Sequence, residues 1–220
     1  MPIASIFAPH YCCSCGRIGA ILCESCKYNI IEEPFGACIA CNKPTSDIEN
    51  LCRTCQQSYS RAWCVGVREG ALKELINRYK FERARAASEP LADLLDATLP
   101  ALPQGMIVVS VPTIAPHIRQ RGYDHMARIA RRLAKQRGLV YAPLVRRTSK
   151  TVQHGATRAT RLKQAKNAFT VPLRCDDKRI LLVDDVCTTG ATLEYAAHAL
   201  RSMGAADVWV ATISVQLLEK

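Results

Sequence analysis

Neither a membrane-spanning run nor a secretory leader is visible in this chain of 220 residues. No apolar stretch approaches the length a bilayer requires, so no transmembrane segment is expected. The opening MPIASIFAPHYCC lacks a basic start and a long apolar core. It does not read as a secretory signal, and a cytoplasmic protein is expected. Two further scarcities are local. Large apolar residues are few from about His10 to Ser60, so that segment cannot build a core unaided. Acids all but vanish from His117 to Ala168, where fourteen Lys/Arg face Asp124 alone. That surplus exceeds the net charge of the whole chain, +11. A basic block of this size points to a polyanion, whether phosphates, pyrophosphate or nucleic acid, or else to a solvated basic surface.

What the first segment has in place of a core is cysteine. Eight of the twelve cysteines form four CxxC pairs: Cys12 with Cys15, Cys23 with Cys26, Cys38 with Cys41, and Cys52 with Cys55. With no leader and with this spacing, metal is a better reading than disulfides. A CxxC knuckle lets two thiolates grip one tetrahedral Zn²⁺, and eight thiolates suffice for two Cys₄ sites. Zinc would be structural, its binding supplying the folding energy that the segment lacks. Cys13 could stand in for Cys12 but leaves a CxC spacing. Sequential pairing of the knuckles is simplest; an interleaved pairing, or one site without metal, stays open. Repetition argues against a redox role for any one pair. Cys64, Cys175 and Cys187 fall outside the pattern and read as small apolar fillers. The expected organisation is a cysteine-rich zinc-ribbon domain over 1–60 and a second domain over 61–220.

In the second part strands alternate with helices. WCVGVRE reads as a strand, and Leu72, Leu75, Ile76 and Tyr79 form a helical stripe that runs into Lys80 and Phe81. Leu91–Leu99 reads as a short helix stopped by Pro100 and Pro103, and MIVVSV, Met106–Val111, as a strand closed by Pro112. A turn over Pro116–Gly122 precedes a helix over Tyr123–Gln136. That helix turns Met126, Ile129, Ala130 and Leu133 inward and carries Arg128, Arg131, Arg132 and Lys135 on its other side. Leu139–Val145 reads as a strand. The basic, Thr- and Gln-rich stretch from Arg146 to Lys166 is long for a connection, so it is either partly helical or a functional loop. Ile180–Val183 and Val208–Ser214 complete the strands. The alternation implies an α/β fold, a parallel sheet wound on both faces, with ligands at the carboxyl ends of the strands.

The chemistry concentrates in RILLVDDVCTTGAT, Arg179–Thr192. Ile180–Val183 suits a strand buried on both faces. After the acids Asp184 and Asp185 come Thr188, Thr189, Gly190 and Thr192, and then Leu193, Ala196, Ala197, Leu200 and Met203 at helical spacing. A strand, a polar turn and a helix start present free backbone N–H groups to a phosphate. The hydroxyls add donors, and Gly190 lets backbone approach without a Cβ. Carboxylates repel phosphate, but they accept from a sugar diol and hold hydrated Mg²⁺. A ligand with ribose hydroxyls, a phosphate and a metal-bound pyrophosphate would use every part of the stretch. The plainer alternative is an ordinary turn, with Asp185 as turn former and a threonine as helix cap.

This string resembles the phosphoribosyl-pyrophosphate (PRPP) motif of type I phosphoribosyltransferases. The resemblance implies that Asp184 and Asp185 bind the ribose hydroxyls. It implies that Thr188, Thr189, Gly190, Thr192 and the backbone N–H of Ala191 wrap the 5′-phosphate. Some purine-salvage members carry a carboxylate where this chain has Thr188, so the chain sits closer to the orotate-type pattern. The order of four CxxC knuckles, Lys80-Phe81, SVP, RxRGY, RxxR…NAF and VDDVCTTGAT covers nearly the whole chain. It resembles the ComF family, competence-associated proteins of bacterial DNA uptake. The family reads RGF or RGY followed by Asn-Gln; here Arg121, Gly122 and Tyr123 are followed by Asp124 and His125. Family position implies that Lys80, Arg158 and Arg161 meet pyrophosphate and that Arg121 belongs to the PRPP site, with Mg²⁺ accompanying PRPP. Lys80 and Arg158 would join the two acids as catalytic groups.

Three functions follow as expectations. One is phosphoribosyl transfer to an unidentified acceptor. Another is a PRPP-binding fold that handles single-stranded DNA, with Arg128, Arg131, Arg132 and Lys135 tracking the backbone and other DNA-uptake proteins as partners. The third is a sensor of PRPP without turnover.

Overall fold

The structure, a computed structural model, describes residues 10–45, 49–148 and 168–217. Its centre is a parallel sheet of five strands in the order β1-β7-β6-β2-β3. These are β1 (Arg61–Val67), β2 (Ile107–Ser110), β3 (Val140–Tyr141), β6 (Arg179–Cys187) and β7 (Asp207–Val215). A separate antiparallel pair joins β4 (Arg146–Arg147) to β5 (Phe169–Thr170). The helices are α1 (Glu24–Glu32), α2 (Gly70–Phe81), α3 (Ser88–Thr98), α4 (Ala115–Arg121), α5 (His125–Gln136) and α6 (Ala191–Ser202). Among the described residues, no helix is long and apolar enough to cross a membrane.

The parallel α/β architecture agrees with the sequence reading, and so does the two-faced burial of β6. Ile180 and Leu182 face one apolar cluster with α6, while Leu181 and Val183 face another with α2, α3 and α5. The amino-terminal segment straddles the sheet. Cys12, Ile21, Leu22 and Cys26 join the cluster that holds Trp63 and Leu75, whereas Phe35 and Ile39 join the one that holds Cys187 and Leu193. The lone cysteines Cys64, Cys175 and Cys187 are all buried.

Some boundaries differ. The strand expected over Ile180–Val183 continues to Cys187, because Asp184 and Val186 stay in register with Thr212 and Ser214 of β7. The two acids therefore belong to the strand. The turn expected over Pro116–Gly122 is the helix α4, entered through Pro116 and closed by left-handed Gly122. The strand expected over Leu139–Val145 is confined to Val140–Tyr141; Pro143 cannot donate to the ladder. Within the cysteine-rich segment lies a helix, α1, that the knuckle pattern hides.

Candidate functional site

The connections of β2 and β6 leave in opposite directions, toward β3 and toward β7. Adjacent parallel strands that diverge in this way open a crevice at their carboxyl ends. A cleft of about 340 Å³ lies there. Val111 to Ile114 line it after β2, and Asp184, Asp185 and Thr192 line it from β6 and α6. Lys80, Phe81, His117, Arg121, His125 and Arg147 complete the wall.

The acidic pair is buried, at 9% and 8% exposure. Burial, reinforced by the charge of Asp185, pushes the Asp184 carboxyl up to about 8. Burial also works against Asp185, but the His125 hydrogen bond and the Lys80 ammonium outweigh it and hold this carboxyl well below the usual range. Asp185 Oδ2 receives Lys80 Nζ at 2.7 Å and His125 Nε2. Asp184 Oδ1 accepts from the backbone N–H of Asp185 at 2.9 Å. After β6 the exposed Thr188 and Thr189 lead to Gly190, which is left-handed at φ 72° and caps α6. Ala191 N–H turns back to Thr189 Oγ1 at 3.4 Å. The structure thus brings Asp184, Asp185, Lys80, Arg121 and Thr192 to one cleft. Arg158 and Arg161 lie outside the described residues.

Arg121 is buried as well. Its Nε donates to the Lys80 carbonyl at 3.0 Å, and its Nη1 lies 2.9 Å from His125 Nδ1. Sequence reasoning assigned no role to His125, His117 or Arg147. The signal for His125 was the departure from Asn-Gln. Its neighbour Asp124 has a local task, accepting from Ala127 N–H at 3.1 Å as the N-cap of α5.

The eight predicted cysteines gather into two groups, Cys12, Cys15, Cys23, Cys26 and Cys38, Cys41, Cys52, Cys55, with ligand atoms within 4.8 Å of one another. This is the sequential pairing. Four sulfurs about 2.3 Å from a common zinc stand roughly 3.8 Å apart. Cys15–Cys23 at 3.7 Å, Cys38–Cys55 at 3.9 Å and Cys41–Cys52 at 3.6 Å match that edge. Both groups fit zinc. Cys13 instead points to the Ala71 carbonyl at 3.8 Å. Each group contains one thiol poised to ionise. Burial opposes a thiolate at Cys12, but backbone N–H groups of Cys15, Cys23 and Ser14 bring it down to about 6. The Thr54 hydroxyl, then Cys55, does the same for Cys52, also to about 6. Residues beside the second group abut the turn at Gly190 and the helix after it: Cys187 Sγ donates to the Ile39 carbonyl at 3.7 Å, and Ser58 N–H and Oγ both reach Glu194 of α6.

The basic face of α5 is partly engaged. Arg132 pairs with Glu89 at 2.5 Å, Arg128 Nε donates to Ser88 Oγ at 3.2 Å, and Arg131 stacks over Tyr141 at 5.1 Å. Arg128, Arg131 and Lys135 remain exposed.

Residues 118–216 match the phosphoribosyl transferase domain family. The chain is 28% identical over 207 residues to competence protein F of Haemophilus influenzae, covering 86% of this chain and 88% of that protein. It is 27% identical over 202 residues to competence protein ComFC of Streptococcus pneumoniae, with 85% and 84% covered. To the DNA utilization protein YhgH of Escherichia coli K12 it is 28% identical over 216 residues, with 86% and 94% covered.

Proposed function

We propose that this chain, which resembles competence proteins F and ComFC over most of its length and matches the phosphoribosyl transferase domain over residues 118–216, is a ComF-type protein whose cleft binds PRPP with Mg²⁺ in the service of DNA uptake. The observation that carries the reading is the convergence on one cleft of the buried acids at the end of β6, the helix start after Gly190, and Lys80. Asp184 and Asp185 accept from the ribose diol. Thr188 to Thr192 hold the 5′-phosphate with hydroxyls and the backbone N–H groups of a helix start. Lys80, with Arg158 and Arg161, faces the pyrophosphate. If turnover occurs, the C1–O bond to pyrophosphate breaks as the acceptor bonds to C1. The residues' task is then to place the ribose and to stabilise the departing charge.

Calorimetry with PRPP, with and without Mg²⁺, tests this reading. Wild-type protein should bind, and more tightly with Mg²⁺. Changing Asp184→Asn together with Asp185→Asn should weaken binding about tenfold or more, since bonds to charged groups contribute about 1.5–3 kcal/mol each. Unchanged affinity would reduce the motif to a structural turn.

A second reading takes the same fold as a carrier of single-stranded DNA without turnover. The exposed Arg128, Arg131 and Lys135 favour it, as does a basic surplus larger than one pyrophosphate requires. Release of pyrophosphate with candidate bases would support the enzyme. Oligonucleotide binding that falls steeply with salt, without turnover, would support the carrier.

A further inference from the structure

His125 is only 5% exposed, lines the cleft, and has no part in the chemistry above. Its hydrogen bonds assign its tautomer. A guanidinium has donors and no acceptor, so Arg121 Nη1 donates to His125 Nδ1 across 2.9 Å. Nδ1 is therefore the acceptor, the ring proton sits on Nε2, and Nε2–H donates to Asp185 Oδ2. Thr113 Oγ1 stands 3.1 Å from the same Nδ1 and 3.0 Å from Asp124 Oδ1, so its single proton has an acceptor either way. The His125 backbone is held as well, where Tyr79 Oη donates to its carbonyl at 3.0 Å.

Lys80 Nζ reaches the same Oδ2 at 2.7 Å. Among the described residues, both side-chain donors to this carboxylate thus meet at one oxygen. Arg121 also holds the Lys80 carbonyl, so a single guanidinium contacts both the imidazole and the backbone that carries the Lys80 ammonium. We propose that His125 is a positioning residue: Arg121, acting through the imidazole, clamps the Asp185 carboxylate by Oδ2 and leaves Oδ1 to accept from the ligand. Arg121 then works chiefly on the carboxylate and on Lys80, one step back from the pyrophosphate. This rests on the reading that the cleft takes a ribose diol.

Two amides separate a clamp from a packing role. In His125→Gln the amide nitrogen reaches the place of Nε2 and can still donate to Asp185. In His125→Asn the amide reaches only the place of Nδ1, so the bond to Arg121 can persist while the bond to Asp185 is lost. With PRPP and Mg²⁺ in the calorimeter, the Gln variant should bind about tenfold tighter than the Asn variant, the loss expected for a bond to a charged group. Thermal unfolding of both checks that the comparison is between folded proteins. Equal affinity in two folded variants overturns the clamp. Nitrogen-15 NMR of the wild-type imidazole needs no ligand and no variant. It should find the proton on Nε2, and a proton on Nδ1 overturns the clamp even if neither variant folds. Failure of wild-type protein to bind PRPP sinks the functional reading and with it the ligand-facing role of Asp185. The tautomer experiment still decides whether the Arg121–His125–Asp185 chain exists.

Discussion

Asp184 and Asp185 are adjacent in sequence, yet burial and neighbours drive their carboxyls in opposite directions. Asp184 has its proton affinity raised by burial and by Asp185, to about 8. The folded chain therefore keeps a proton there that the unfolded chain releases above the ordinary carboxyl range. Its burial destabilises the fold increasingly as pH rises from that range to about 8. Asp185 has the opposite sign. Its depressed folded value contributes stability that is present above the unfolded value and lost as pH falls through the lower folded one. A ribose diol needs acceptors, so binding should favour the ionised form of Asp184. PRPP affinity should rise with pH and level off near 8, and binding at neutral pH should release a proton. Calorimetry at pH 7 in two buffers of different ionisation heat measures that release. Identical heats in both buffers would mean that Asp184 keeps its proton on binding and takes no part as an acceptor. In Asp184→Asn the buffer dependence should disappear.

Gly190 joins strand β6 to helix α6, and its φ of 72° is one that side chains with a Cβ adopt at a penalty. Space is not the obstacle: a Cβ there would meet the Ile39 carbonyl at an ordinary 3.6 Å. Gly190→Ala should therefore destabilise the fold by only about 1 kcal/mol, through backbone strain. It should weaken PRPP binding more than this, because the turn that presents the N–H groups must shift. Chemical denaturation and calorimetry on one sample compare the two losses. An unaltered PRPP affinity would exclude this turn from the phosphate site. The same region shows what the sequence made legible. The apolar run Ile180–Val183 announced a buried strand, but the acids after it read as a turn. Their place in the strand depends on the partner β7, where buried Thr212 and Ser214 keep the ladder going. The helix α4 was hidden because seven residues carry no recurring apolar stripe. His125 was visible only as an odd letter after RGY, since what it touches comes from residues up to 60 positions away. The cysteine pairs were fully legible, because a CxxC spacing is itself a local geometry.

Across the whole molecule, the amino-terminal segment is less an appendage than a wrap around one end of the sheet. Its first cysteine group packs on the face with Trp63 and Leu75, and residues flanking the second, Phe35 and Ile39, pack on the face with Leu193. Asn50 ties that segment to β1: its N–H donates to the Ala62 carbonyl at 2.7 Å, and its Oδ1 accepts from Cys64 N–H at 2.7 Å. Ser58 holds the first turn of α6 through Glu194. Metal that organises the segment should therefore stabilise both apolar clusters as well as the knuckles. Metal analysis of reduced, purified protein should return about two zinc ions per chain, one for each set of four thiolates. A strong chelator should lower the main calorimetric unfolding transition, since buried surface of the second part loses its cover. PRPP binding should weaken in the same sample, because Ile39 and Glu194 connect the second cysteine group to the turn at Gly190. Folded, reduced protein that holds no zinc would sink this account. So would a chelated sample that loses a small early transition while the main one and the PRPP affinity stay where they were. That result would make the cysteine segment an independent module, with its contacts to the sheet contributing little to either stability or the site.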